Sequence, residues 1–201
     1  MMHKLLIATG NQGKVRELQA LLAGMDVELV TPRQIGLEMD VVEDGVNYEE
    51  NAGKKAREYS QASGLISLAD DSGLEVDVLG GAPGLHSARY SPLPNATDAD
   101  RRAYLLQNLA GKPRPWKAHF HATIAVGLPD GSVHFAEGDC FGEIIPQEQG
   151  SNGFGYDPIF FIPQMRRTMA ELTSEEKNQL SHRALAVKNA RPVLGKILQM
   201  D

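Results

Sequence analysis

Hydrophobic positions change rhythm several times along the chain, and the order of the rhythms outlines a fold. The apolar run Leu5-Leu6-Ile7 centres a predicted strand over residues 4–9. Val15, Leu18, Leu21 and Leu22 then recur three and four apart, which predicts an amphipathic helix over 13–23 ending near Gly24. Residues 27–30, "VELV", return to a strand and close a β-α-β opening. Residues 36–47 are acidic and aperiodic and read as a loop. From Tyr48 to Ser63 the period is helical again, with Ala52, Ala56 and Tyr59 on one face. Glu50/Lys54 and Lys54/Glu58 stand four apart, as supporting ion pairs on a helix would.

Residues 65–84 read "LISLADDSGLEVDVLGGAPG": an apolar strand ending in two aspartates, a turn, an alternating strand and a Gly/Pro loop. Residues 98–109 predict a helix with Asp98 as its cap. Over 117–126 the even positions Ala118, Phe120, Ala122, Ile124 and Val126 are all apolar, the mark of a half-buried strand. Asp130-Gly131 signals a hairpin into a further strand over 132–141. The last third holds "GSNGFGYDPIFF" and two helices starting near Thr173 and Ser181. Thr173 and Glu176 fit a capping box, and Pro192 should kink or interrupt the final helix. Strands alternate with helices early and pair as hairpins later, so the pattern predicts an α/β protein with a mixed sheet.

Composition narrows the choice of partners. At 201 residues the chain forms one domain, or two lobes sharing a core. Lysine and arginine number 20 against 26 acids, a formal net charge of −6, which argues against duplex DNA, RNA or an anionic membrane as partner. A local basic cluster could still hold a small phosphorylated ligand. Cys140 stands alone, so neither a disulfide framework nor a cysteine zinc cage is expected. No apolar run is long enough to span a bilayer and the start of the chain lacks a long apolar segment, so a cytoplasmic location is expected.

Four stretches carry candidate chemistry, each with a plainer alternative. In "ATGNQGK", Gly10, Asn11 and Gly13 can turn backbone N–H groups toward an anion at a helix N-terminus, and Lys14 adds a movable charge. The spacing is not that of a Walker A loop, and Val15 stands where a Ser or Thr would be needed. A permissive turn is the alternative. Asp70 and Asp71 could offer one carboxylate to Mg²⁺ or to an attacking water, or form an acidic turn around Ser72 and Gly73. "GSNGFGYD" sets Phe154 and Tyr156 among glycines, ahead of Asp157. That suits stacking on a base and reading its edge, or a hairpin loop with one aromatic in the core. Lys177, His182 and Arg183 could receive phosphate or carbonyl oxygens, or lie on a solvated helical face. His119 and His121 share a strand face without a third metal partner, and neither G-x-S-x-G nor H-E-x-x-H occurs.

The order "TGNQGK", "YEENAGKKA", "LADDSGLEVDVLGGAPG", "SARY", "GFGYDPIF", "AELTSEEKNQLSHR" resembles the inosine/xanthosine triphosphate pyrophosphatase (Ham1-like) family over essentially the whole chain. The resemblance implies a two-lobed α/β fold with a long twisted mixed sheet flanked by helices, an active-site cleft between the lobes, and a homodimer. It implies Mg²⁺-dependent hydrolysis of ITP, dITP and XTP to the monophosphate and pyrophosphate. By the same resemblance Thr9, Gly10, Asn11, Gln12, Gly13 and Lys14 would hold the triphosphate with Lys55. Asp71 would be general base and metal ligand, and Ser72 would touch substrate. Phe154, Gly155, Tyr156 and Asp157 would frame the base, with Lys177, His182 and Arg183 as donors. Some members carry an acid pair before the "ENA" helix. Here the region reads Val42-Glu43-Asp44, so Glu43 alone is carried over as a second metal ligand. A pyrophosphatase for modified pyrimidine nucleotides and a non-catalytic nucleotide sensor are the rival readings.

Overall fold

The computed structural model describes residues 3–199. Among them are seven strands: β1 (His3–Ile7), β2 (Val27–Val30), β3 (Ile66–Val76), β4 (Trp116–Gly127), β5 (Val133–Ile144), β6 (Phe160–Ile162) and β7 (Arg167–Thr168). The helices are α1 (Gln12–Leu22), α2 (Tyr48–Ser63), α3 (Asp98–Leu109), α4 (Ser174–Leu180) and α5 (His182–Ile197). Hydrogen bonding orders the strands β2-β1-β3-β4-β5-β6-β7. β1 runs parallel to β2 and β3, whereas β6 is antiparallel to both β5 and β7. The sheet is therefore mixed, as the change from β-α-β to hairpin patterning predicts. No described helix is long and apolar enough to cross a membrane.

Contacts gather the chain into two compact units, each with its own core. The first comprises residues up to 71, 122–138 and 182 onward; the second comprises 72–121 and 139–181. β3, β4 and β5 contribute residues to each.

In the first unit, both faces of the strands are buried. Leu5, Ile7 and Leu68 pack with Leu18 and Leu22 of α1 and with Ala186, Val187 and Leu194 of α5. On the other face Leu6, Ala8 and Ala69 pack with Ala52, Ala56 and Tyr59 of α2. Strands covered by helices on both sides have no solvent face. That is why the even-position alternation of β4 fades in its second half, where Thr123 and Ala125 are buried too. A Cβ on Gly127 would meet the Ala56 backbone, and one on Gly138 would meet His182 and Ala186, so glycine permits close helix packing there. Pro192 does not interrupt α5, which continues to Ile197. The buried apolar face of that helix offsets the hydrogen bond that proline cannot donate.

The second unit packs Leu74, Val76, Leu105, Leu109, Phe120, Cys140, Tyr156, Ile159 and Phe160 into one core. Thr97, rather than Asp98, is the N-cap of α3, and Asp100 completes a capping box. Thr173 and Glu176 form the capping box expected for α4. Two further expectations are corrected. β3 runs unbroken through Asp70 and Asp71 to Val76 instead of ending at them. Lys54 pairs with Asp44 at 2.7 Å, while Glu50 accepts the N–H of Val46 at 3.0 Å, so Glu50 serves the start of α2 rather than an ion pair with Lys54.

Candidate active site

The charged centre of the first unit begins at the end of β1. Thr9 Oγ1 accepts the N–H of Asn11 at 3.2 Å. Asn11 is the N-cap of α1, its Oδ1 accepting from Gly13 N–H at 2.8 Å and Lys14 N–H at 3.1 Å. The loop thus satisfies part of its own helix N-terminus with a side chain. Gly10 is exposed, and a Cβ there would meet nothing within 4 Å, so the backbone is open to close approach. Lys14 points inward from the first turn of α1: its Nζ lies 3.3 Å from the Asp70 carbonyl and 3.5 Å from Asp70 Oδ1. Burial lowers the Lys14 pKa, although the side chain keeps 15% exposure, and the Asp70 charge works against that shift.

Asp70 and Asp71 are neighbours on β3, both buried, with opposite environments. Asp70 is 0% exposed and accepts from Arg183 Nε; Arg183, 1% exposed, also donates to Glu17. Burial opposes the Asp70 charge, but Arg183 and Lys14 overcome it and hold the carboxyl well below the usual range. Asp71 accepts from Asn51 Nδ2 at 3.1 Å and lies 3.8 Å from Lys55 Nζ. Burial raises the Asp71 pKa and the Glu43 charge adds to it, while Lys55 and Lys14 pull the other way. Lys55 Nζ also reaches Glu43 at 2.7 Å and the Asp70 carbonyl at 2.9 Å. Asp70 is therefore a fixed anion between cations, and Asp71 is a carboxylate with a tendency to take up a proton. The alternation of a strand, which sends adjacent side chains to opposite faces, gives them these separate surroundings.

The second unit holds the aromatic loop. Asp157, 3% exposed, accepts the Phe154 N–H at 3.0 Å and Lys177 Nζ at 2.6 Å. The Lys177 ammonium also stands 5.2 Å from the centre of the Phe154 ring. Gly153 has φ +76°, and a Cβ there would meet the Asp157 carboxylate and the Lys177 ammonium, so glycine is required twice over. Tyr156 is the aromatic tucked into the core, its hydroxyl donating to the Ser87 carbonyl at 2.9 Å. Phe154 and Ser72 are only half-buried.

The structure gathers Lys14, Lys55, Asp71, Glu43 and Arg183 in the first unit and Phe154, Asp157 and Lys177 in the second. His182 lies buried at the first residue of α5 in the first unit. Lys177, His182 and Arg183 are all buried, so the plainer reading of a solvated helical face does not hold. Sequence reasoning missed Asn51, whose amide donates to Asp71 while its oxygen accepts the Gly45 N–H at 2.8 Å. It missed Glu17 as well, for which neither motif nor period gives a signal. Asn51 lies inside the quoted "ENA" motif, and that was its available clue.

A family model described as Ham1 family matches residues 5–193. A protein of Desulforamulus reducens named dITP/XTP pyrophosphatase is 44% identical over 96% of each chain. One of the same name from Mannheimia succiniciproducens is 45% identical over 97% of this chain and 100% of its own. A solved HAM1 protein from Coxiella burnetii superposes with a TM-score of 0.87 at 38% identity, covering 97% of this chain and 100% of that one.

Proposed function

The chain belongs to the Ham1 family, and from that premise we propose that it hydrolyses dITP, ITP and XTP to the nucleoside monophosphate and pyrophosphate. The observation that carries the reading is Asp71: a buried carboxylate with a raised pKa, beside Lys55 and Asn51, on the strand that also engages Lys14. Relatives of matching length named dITP/XTP pyrophosphatase supply the substrate class.

The phosphate chemistry is assigned to the first unit. Asp71 accepts the proton of a water directed at the α-phosphorus, a role favoured by a pKa nearer the working pH. Lys14 and Lys55 offset charge on the departing pyrophosphate, and Thr9, Gly10 and Gln12 line its approach. Asn11 and Gly13 shape that loop through the α1 cap. Asp70 is unsuited to be the base because Arg183 and Lys14 hold its pKa well below the usual carboxylate range and leave it little affinity for a proton. We read Arg183 as the group that fixes Asp70, with His182 beside it in sequence at the start of α5. Base reading is assigned to the second unit: Phe154 stacks, Gly155 and Tyr156 shape the loop, and Lys177 with Asp157 meets the edge of a 6-oxo purine. Ser72 follows Asp71 directly and contacts the substrate.

The donor set fits a magnesium ion. Mg²⁺ takes oxygen ligands, is held by one or two carboxylates, and completes its shell with water and substrate phosphate. Asp71 and Glu43 both lie near Lys55 Nζ, at 3.8 and 2.7 Å, and the Glu43 charge is felt at Asp71, so the pair offers carboxylate oxygens of the kind that Mg²⁺ takes. Asp71 and Glu43 would hold Mg²⁺, which when bound supplies Lewis-acid neutralisation of phosphate charge. A cytoplasmic homodimer is the assembly we expect.

The test is a panel of ITP, dITP, XTP, ATP, GTP and modified pyrimidine triphosphates, with and without Mg²⁺, scoring pyrophosphate and orthophosphate separately. Pyrophosphate from the first three, dependent on metal, is the expected result. Orthophosphate as primary product overturns cleavage at the α-phosphorus. Binding without turnover supports a sensor instead.

A further inference from the structure

We propose that Asp98 and Arg102 of α3 are positioning residues for the Phe154–Asp157 loop, fixing the backbone of Gly155 so that Phe154 and Asp157 stand ordered before a base arrives. The proposal rests on the reading of that loop as the base site. Residues 98 and 102 are four apart on α3, so their side chains leave one helix face. Asp98 Oδ2 accepts the Gly155 N–H at 2.8 Å, and Arg102 Nη1 donates to the Gly155 carbonyl at 2.8 Å. Both polar backbone groups of one loop residue are thus taken up by a single helix face. Gly155 sits at φ +61°, a conformation that glycine adopts without strain and that leaves its peptide groups pointing away from a regular ladder.

Arg102 does more than hold Gly155. Its Nε and Nη2 grip the Glu148 carboxylate at 2.8 and 2.9 Å, a bidentate pair. Glu148 precedes the loop, so one arginine ties both the approach to the loop and its turn at Gly155 to α3. The helix is a firm base for this. Leu105 and Leu109 are 0% exposed in the same core as Tyr156 and Ile159, and the Thr97–Asp100 capping box fixes the start of α3. Asp98 lies in the first turn, where the helix dipole favours negative charge. An ionised acceptor and a guanidinium donor make each bond to Gly155 charge-assisted and stronger than a neutral one. A loop ordered in advance loses less conformational freedom when ligand binds. The effect should fall on KM and on base discrimination, and spare the chemistry at the phosphates.

The test compares Asp98→Ala, Asp98→Asn, Arg102→Ala and Glu148→Gln with the unmodified protein, using dITP and dATP and following hydrogen exchange of the Gly155 amide by NMR. Asp98→Ala and Arg102→Ala are expected to raise KM for dITP about tenfold, hold kcat within about twofold, and narrow the dITP/dATP ratio of kcat/KM about fivefold. Asp98→Asn keeps an oxygen acceptor and is expected to recover most of the KM. The Gly155 amide should exchange faster in Asp98→Ala. An unchanged KM with a fallen kcat, or unchanged selectivity together with unchanged Gly155 exchange, overturns the proposal. Should an alanine variant fail to fold, Glu148→Gln, which loosens the grip on Arg102, is read on the same scale. It is expected to raise KM about threefold, and no change in KM or selectivity there counts against the clamp. Absence of dITP turnover by the unmodified protein overturns the functional reading instead, and the Gly155 exchange then decides the clamp alone.

Discussion

Replacing Arg183 with methionine tests the electrostatic argument most directly. Asp70 is 0% exposed and Arg183 1%, so bulk water does little to screen the pair. Removing one partner of a buried pair and leaving the other charged costs about 3–5 kcal/mol. Lys14 remains 3.5 Å from Asp70 Oδ1, which moderates the loss; Glu17 loses the same guanidinium, which adds to it. A net loss of about 3 kcal/mol follows. At roughly 2–4 °C per kcal/mol for a chain of this size, the melting temperature should fall by about 6–12 °C at pH 7. The pH dependence has a definite sign. In the unmodified protein Asp70 titrates below its unfolded value, so its stabilisation is complete above the usual carboxylate range and is lost as pH falls through the folded value. In Arg183→Met the burial that now opposes the charge wins, Asp70 moves upward, and acidification relieves the variant. The gap between the two proteins should therefore narrow between pH 7 and about pH 4. Thermal melts by circular dichroism over that range provide the assay. The double variant Asp70→Asn/Arg183→Met should be less destabilised than the two single losses added together, by about 2–3 kcal/mol. A melting shift within about 2 °C at pH 7, or a gap that does not change with pH, would refute the argument.

Asp71→Asn should lower kcat by about a hundredfold or more, with an unchanged melt, because an amide cannot accept the water's proton; a fall under about tenfold would move the base elsewhere. The acid limb of kcat/KM, measured at one fixed Mg²⁺ concentration, should move higher in Lys55→Met than in the unmodified protein, because Lys55 is the charge that most holds Asp71 down. Gly153→Ala should raise KM, measured with dITP, because its Cβ collides with the Asp157 carboxylate and the Lys177 ammonium. Burial pushes the Cys140 thiol up to about 12, so iodoacetamide at pH 8 should label the protein only after unfolding, as read by mass.

Local periodicity made much of the fold legible. α1, α2 and α3 bury apolar stripes spaced three and four apart, and their predicted limits fall within about two residues of those observed. The pair Asp70-Asp71 misled because two adjacent aspartates in water favour a turn. What keeps them in a strand is remote: Arg183 lies 113 residues along the chain from Asp70, and Asn51 lies 20 from Asp71. No window of sequence contains those partners. The same distance hid Glu17, and it hid the contact of α3 with Gly155, 57 residues from Asp98. Thr97 outcompeted Asp98 as cap because Asp100 could answer it reciprocally, leaving Asp98 available for the loop. The candidate residues themselves were recognisable only as an ordered set, since each short motif also had a structural explanation.

The neighbouring carboxylates of β3 create a peculiar genetic ambiguity. Deleting codon 70 or codon 71 yields the same polypeptide, with one aspartate between Ala69 and Ser72. The surviving carboxylate faces two vacant roles and can fill only one. Alternation along the strand means that whichever frame it adopts, every side chain on one flank of the deletion changes face. The guanidinium of Arg183 offers the surviving acid a charge-assisted contact, whereas the place beside Asn51 offers it an environment that disfavours ionisation. Such a chain should settle its remaining acid as a counter-ion and leave the place proposed for the general base to serine. Loss of a single codon would then silence the enzyme, with every other charged group of the site still encoded.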